Sequence, residues 1–151
     1  MRSMMHLGEA RLRPMARGLG SAALIVTAVV HAWLYFHAGY RHIPTIGPSF
    51  GAVVITAVVL ALLVAGHGGA FLGVVSAGFL LSVFGGYLLS ATVGLFGFTE
   101  TGQTTAAVIC GLAELGGAVA LSLGVLRIWA LPVDSPLGSS SRATTVANKR
   151  T

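Results

Sequence analysis

Glu114 stands alone in a long apolar run, TTAAVICGLAELGGAVALSLGVL, and is the residue of this sequence best placed for proton or cation chemistry. A carboxylate deep in hydrocarbon costs a few kcal/mol, so such a group turns toward protein or water. If the run is helical, Cys110, Gly111, Gly117 and Ala118 lie at i−4, i−3, i+3 and i+4, and all four are small. That face admits close approach of another helix. Two roles are open to the carboxyl group. It can exchange a proton or hold a cation, or it can lock helices together as a hydrogen-bonded structural group.

His31 is the second candidate. It opens HAWLYFHAGYRHIPTIGPSF, residues 31–50, which joins two apolar runs and holds three of the five histidines. His31 lies about nine residues inside the far end of the first run and Glu114 about ten inside the matching end of the last. At 1.5 Å per residue both are then roughly 13–15 Å deep. Matched depth allows a His31–Glu114 hydrogen-bonded pair where the first and fourth helices are neighbours, as they are in an up-down-up-down bundle. Thr27 and Tyr35, at i−4 and i+4 from His31, and Tyr87 at similar depth would complete an intramembrane polar cluster. The plainer alternative is a His31 that donates only to a backbone carbonyl.

The remaining chemistry-bearing residues promise less. Cys110 is the single cysteine, so it forms no internal disulfide and reads as a small hydrophobe. His31 and His37 are six apart and point to different helix faces. A haem held between helices would need a second deep histidine on another span, and there is none. A surface metal site at His37, His42 and Glu100 has no repeated ligand spacing behind it. No cofactor and no metal is therefore expected. Arg41 and Glu100 are the only charges expected beside the 31–50 turn, and an exposed outer-loop ion pair between them is worth about 0–1 kcal/mol. Enzyme signatures are missing: Ser76 sits in GVVSAG, without the G-x-S-x-G spacing, and Lys149 is the only lysine, with no phosphate-cradling loop before it.

These residues need long apolar elements to position them, and composition supplies little else. The 151 residues are 55% hydrophobic and 9% charged, against about a quarter charged in a soluble domain. Mean hydropathy is +0.87. The expectation is an all-α integral membrane antiparallel four-helix bundle, in contact with the lipid bilayer. Its spans cover about 18–40, 50–66, 70–94 and 103–129. Gly39 releases the first helix, Pro44 and Pro48 forbid its continuation, and Ser49 offers an N-cap region for the second. Gly69, Gly73 and Ala77 repeat at four-residue spacing, and the Gly85-Gly86 pair could kink the third helix or admit a neighbour. Residues 1–17 form a basic leader, either an interfacial amphipathic helix or disordered, with Met4, Met5 and Met15 as alternative starts to Met1. Residues 132–151 read as a flexible tail.

The net charge of +5 does not point to nucleic acid, because its location is membrane-like. Arg2, Arg11, Arg13 and Arg17 precede the first span, and Arg127, Arg142, Lys149 and Arg150 sit at or after the end of the last. Positive-inside patterning places both termini in the cytoplasm of a multi-pass cell-membrane protein.

The histidine in span one, then GYRHIPTIGPSF, then GGYLLSATVGLFGFTE before span four, resemble small four-helix integral membrane proteins of actinobacteria, over about residues 19–129. The resemblance implies a fold and a membrane, and no activity. Two functions are expected from the residues. One is non-catalytic: an accessory, assembly or structural subunit of a larger membrane complex, such as a respiratory one. It would meet partner chains or copies of itself through small-residue helix faces. The other is an oligomeric proton-coupled small-solute transporter or channel using Glu114.

Overall fold

The computed structural model describes residues 2–95, 97, 99 and 104–129, and the side-chain surroundings of those between 13 and 126. Among the described residues four helices follow one another: α1 (Arg2–His37), α2 (Ile46–Gly66), α3 (Ala70–Thr92) and α4 (Thr105–Trp129), with a 3-10 turn at Tyr40–His42 between α1 and α2. All four contain a stretch of 21 to 25 residues apolar and long enough to cross a membrane, against a requirement of about 20. Their outward surfaces agree with that, since Ile55, Leu62, Phe71, Leu112, Val119 and Leu126 are all exposed. An aqueous surface does not carry so continuous an apolar face.

The first connection departs from the sequence expectation at both ends. α1 stops at His37 rather than Tyr40, and Gly39 takes the left-handed conformation at φ 82°. α2 begins at Ile46, four residues before Phe50, so Pro48 lies in its first turn, where its missing N–H goes unused. Ser49 is inside the helix and donates to the Ile46 carbonyl instead of capping. The N-cap is Thr45, at φ 70° and ψ −43°. The Ile46 N–H donates to the Pro44 carbonyl at 2.8 Å, which closes a γ-turn of the strained positive-φ kind around Thr45. At the other end of the chain's first half, α1 extends back through Pro14 to Arg2, so the basic leader is helical and continuous with the first span. α3 runs unbroken through Gly85 and Gly86.

The helices are antiparallel neighbours in register. Along α1 and α2, Arg17 meets Val64, Ser21 meets Ala61 and His31 meets Phe50. Along α1 and α4, the pairs are Gly20 with Leu121, Ala23 with Gly117 and His31 with Cys110. Along α3 and α4 they are Gly73 with Val125, Leu80 with Gly117 and Phe84 with Gly111. α1 packs extensively on both α2 and α4, α4 also holds α3, and α2 and α3 touch least of the adjacent pairs.

Packing divides the bundle lengthwise. In the half nearer Arg13 and the His67–Gly69 turn, Leu24, Leu60, Ala61, Val64, Ala77, Leu80, Ala118 and Leu121 form one buried cluster. Arg17 anchors that end: its Nε and Nη2 donate to the carbonyls of Val64 and Ala65 at 3.1 and 2.6 Å, in the last turn of α2. Those carbonyls have no helical partner of their own, and the positive side chain suits the negative end of the helix dipole. Small residues do the close packing. Gly73 and Ala77 are buried, Gly73 against Val125, so the expected small face of α3 is consumed by α4.

Candidate functional site

One cavity, of about 280 Å³, lies at the Arg13 end of the bundle beside Arg17, Gly68 and Val125. The half toward the 38–45 turn holds a second, the one that carries the polar residues. All four helices wall this cavity of about 290 Å³, at the small end of the range for ligand pockets. His31 from α1, Ser49 and Phe50 from α2, Tyr87 from α3, and Cys110 and Glu114 from α4 are among its walls. At the turn end aromatic rings line it, Phe50 lying between Tyr40 and His31 with both ring centroids 4.9 Å away.

Glu114 is 2% exposed, the only buried charged residue among those described. Its Oε1 accepts the Cys110 thiol proton at 3.2 Å, a contact that i and i+4 positions make possible on one helix face. Cys110 Sγ lies 3.9 Å from His31 Nδ1. The His31 ring is held by its own helix, Nδ1–H donating to the Thr27 carbonyl at 2.9 Å. A ring nitrogen of His31, the Cys110 sulfur and a Glu114 oxygen all lie within 4.8 Å of one another.

The anticipated meeting of spans one and four at this depth therefore occurs, with one correction. No direct His31–Glu114 hydrogen bond forms, because Cys110 sits between the two. His31 makes the backbone bond of the plainer alternative. Cys110 is correspondingly no mere hydrophobe: it is 6% exposed and hydrogen-bonded to a carboxyl oxygen. Spacing alone carried this signal, since Cys110 shares a helix face with Glu114.

No family model, curated protein or solved structure matches this chain. The resemblance to actinobacterial four-helix proteins thus rests on its motifs alone, and chemistry must be read from the site itself.

The other expected site residues fall out as follows. Tyr87 lines the cavity. Tyr35 does not join the cluster; its ring packs edge-on against Phe36 at 4.9 Å. Arg41 is exposed and its Nε–H donates to His42 Nε2 at 2.9 Å. Glu100 lies outside the described residues, and with it the outer-loop ion pair. His37 stacks on Trp33, with its Nδ1 3.3 Å from the Trp33 carbonyl, so it is engaged on its own helix turn.

One further group faces the cluster. Thr27 is completely buried, and its Oγ1 has no hydrogen-bond partner. It lies within hydrogen-bonding reach of the Cys110 thiol, without the geometry of a formed bond. Ser76 on α3 is also completely buried with no partner for its hydroxyl, so this state is not confined to the cluster.

Proposed function

We propose that this chain is a multi-pass cell-membrane protein, both termini cytoplasmic, that admits a small solute or cation into the cavity and moves it by carrier or channel action. Glu114 is the coupling group. The observation that carries this reading is the cavity itself: a roughly 290 Å³ space between four apolar helices with a buried carboxyl in its wall. Glu114 is buried yet stands in the wall of that cavity, within reach of an occupant. The orientation is supported by the arginines before α1 and the basic residues from Arg127 onward. The test is flux in proteoliposomes under a pH or cation gradient. Flux that disappears in Glu114→Gln while the protein stays folded supports the reading. No flux under any gradient refutes it.

A second reading is a non-catalytic accessory subunit of a larger membrane complex. Two observations favour it: the sparse α2–α3 seam, and exposed Gly78, which has no neighbour within 4 Å. The buried Gly73 and Gly117 faces no longer support it, since packing within the bundle uses them. Purification in mild detergent with gentle crosslinking separates the readings, a stoichiometric partner favouring the subunit.

A further inference from the structure

We propose that His31, Cys110 and Glu114 form a binding site for one divalent transition-metal ion of borderline softness, with Zn²⁺ the best match. This deepens the carrier reading in that the ion enters the same cavity, and it rests on that reading only for the ion's movement, not for its binding.

The donor set is the first argument. One imidazole nitrogen, one sulfur and one carboxylate oxygen are each ordinary ligands of Zn²⁺. Hard cations such as Ca²⁺ and Mg²⁺ require mostly oxygen, and Cu⁺ prefers several soft donors, so this mixture selects against both. Geometry is the second argument. With zinc-to-ligand distances of about 2.0–2.3 Å, the edges of a tetrahedral site measure roughly 3.5 Å. The sulfur already lies 3.2 Å from the Glu114 oxygen, and a ring nitrogen of His31 falls within 4.8 Å of both. All three side chains line the cavity, and small shifts of them would close the remainder. The bond from Nδ1–H to the Thr27 carbonyl fixes the tautomer that carries its lone pair on Nε2, the support that ligating histidines usually receive.

Charge is the third argument and the one specific to this setting. Binding displaces the protons of the thiol and of the carboxylic acid, which leave through the cavity. The product, Zn²⁺ with one thiolate, one carboxylate and one neutral imidazole, has no net charge. A neutral complex avoids the penalty of placing an uncompensated ion between apolar helices. The Thr27 hydroxyl, within hydrogen-bonding reach of the sulfur, can donate to the thiolate. Three protein ligands leave the fourth position to water or a solute in the cavity.

The test uses the full chain, purified in detergent and stripped of metal with a chelator. Titration with Zn²⁺ against a competing chromophoric chelator should give one ion per chain. Co²⁺ in its place should show a thiolate-to-cobalt charge-transfer band. Cys110→Ser should remove the band, and Glu114→Gln and His31→Ala should each weaken Zn²⁺ binding at least tenfold. Thr27→Val should weaken it about tenfold through the lost support, while helix content and melting confirm that each variant is folded. Absence of the band in wild type overturns the proposal, as does affinity that survives Cys110→Ser and is lost in His37→Ala/His42→Ala. Metal binding without flux would overturn the carrier reading alone, and proton-driven solute flux without metal binding would overturn the metal site alone.

Discussion

Two adjacent glycines on α4 should respond oppositely to the same substitution. Gly117 is buried where α1 and α3 both press on α4. A methyl group added there would fall inside the van der Waals limit of Ala23 Cβ and 2.9 Å from Leu80 Cδ1, where carbon atoms normally keep about 3.5–4.0 Å. The leucine tip can rotate away. Ala23 Cβ is fixed to its backbone, so α1 and α4 must separate by on the order of 1 Å at the centre of the packed half. Overpacking of that kind costs about 1–3 kcal/mol. Gly116 is exposed, with nothing within 4 Å, and Gly116→Ala gains the helix preference of alanine, up to about 1 kcal/mol. Thermal unfolding in detergent followed by circular dichroism should therefore raise or preserve the midpoint for Gly116→Ala and lower it for Gly117→Ala. Each kcal/mol corresponds to about 2–4 °C in a chain of this size. Equal midpoints for the two variants would refute this helix register.

Arg17→Ala should cost about 1–2 kcal/mol by releasing the Val64 and Ala65 carbonyls, and Arg17→Lys should restore only part of it, both read by the same melts. In metal-free protein, Cys110→Ala and Glu114→Ala should be non-additive by about 0.6 kcal/mol, the mean for polar contacts in membrane bundles; a larger coupling between His31→Ala and Glu114→Ala would mean that those two touch directly. Thr45→Cys and Ser140→Cys, each in a Cys110→Ala background, should label from opposite sides in intact cells with an impermeant thiol reagent. Labelling of position 140 from outside would reverse the proposed orientation.

Four apolar helices are legible from hydropathy because burial in lipid demands length and apolarity and little else, so α3 and α4 begin and end within a few residues of expectation. The 38–50 turn is harder to read because local rules compete there. Pro48 argues for a break, yet a proline in a first turn loses nothing, and α2 starts before it. Matched depth correctly brings His31 to the level of Glu114. It cannot say that the intervening volume belongs to Cys110, since depth fixes height along a helix and not the order of groups around the axis. The cavity beside Glu114 is invisible in the sequence, because space between helices is a property of how they pair, whereas hydropathy describes each helix alone.

That uneven pairing also sets an order of assembly. α1 and α2 are consecutive and touch along their lengths, so the first hairpin can pack as soon as it emerges from the ribosome. α3 has scant purchase on α2 and finds its main neighbour in α4, which is made last. A chain halted after Thr92 would hold a finished hairpin and a third helix with almost nothing to rest on. Arrival of α4 then docks α3, closes on α1 and delivers Cys110 and Glu114 to His31 in a single event. The polar wall is complete only when the bundle is, and until then His31 stands on the first hairpin without Cys110 and Glu114.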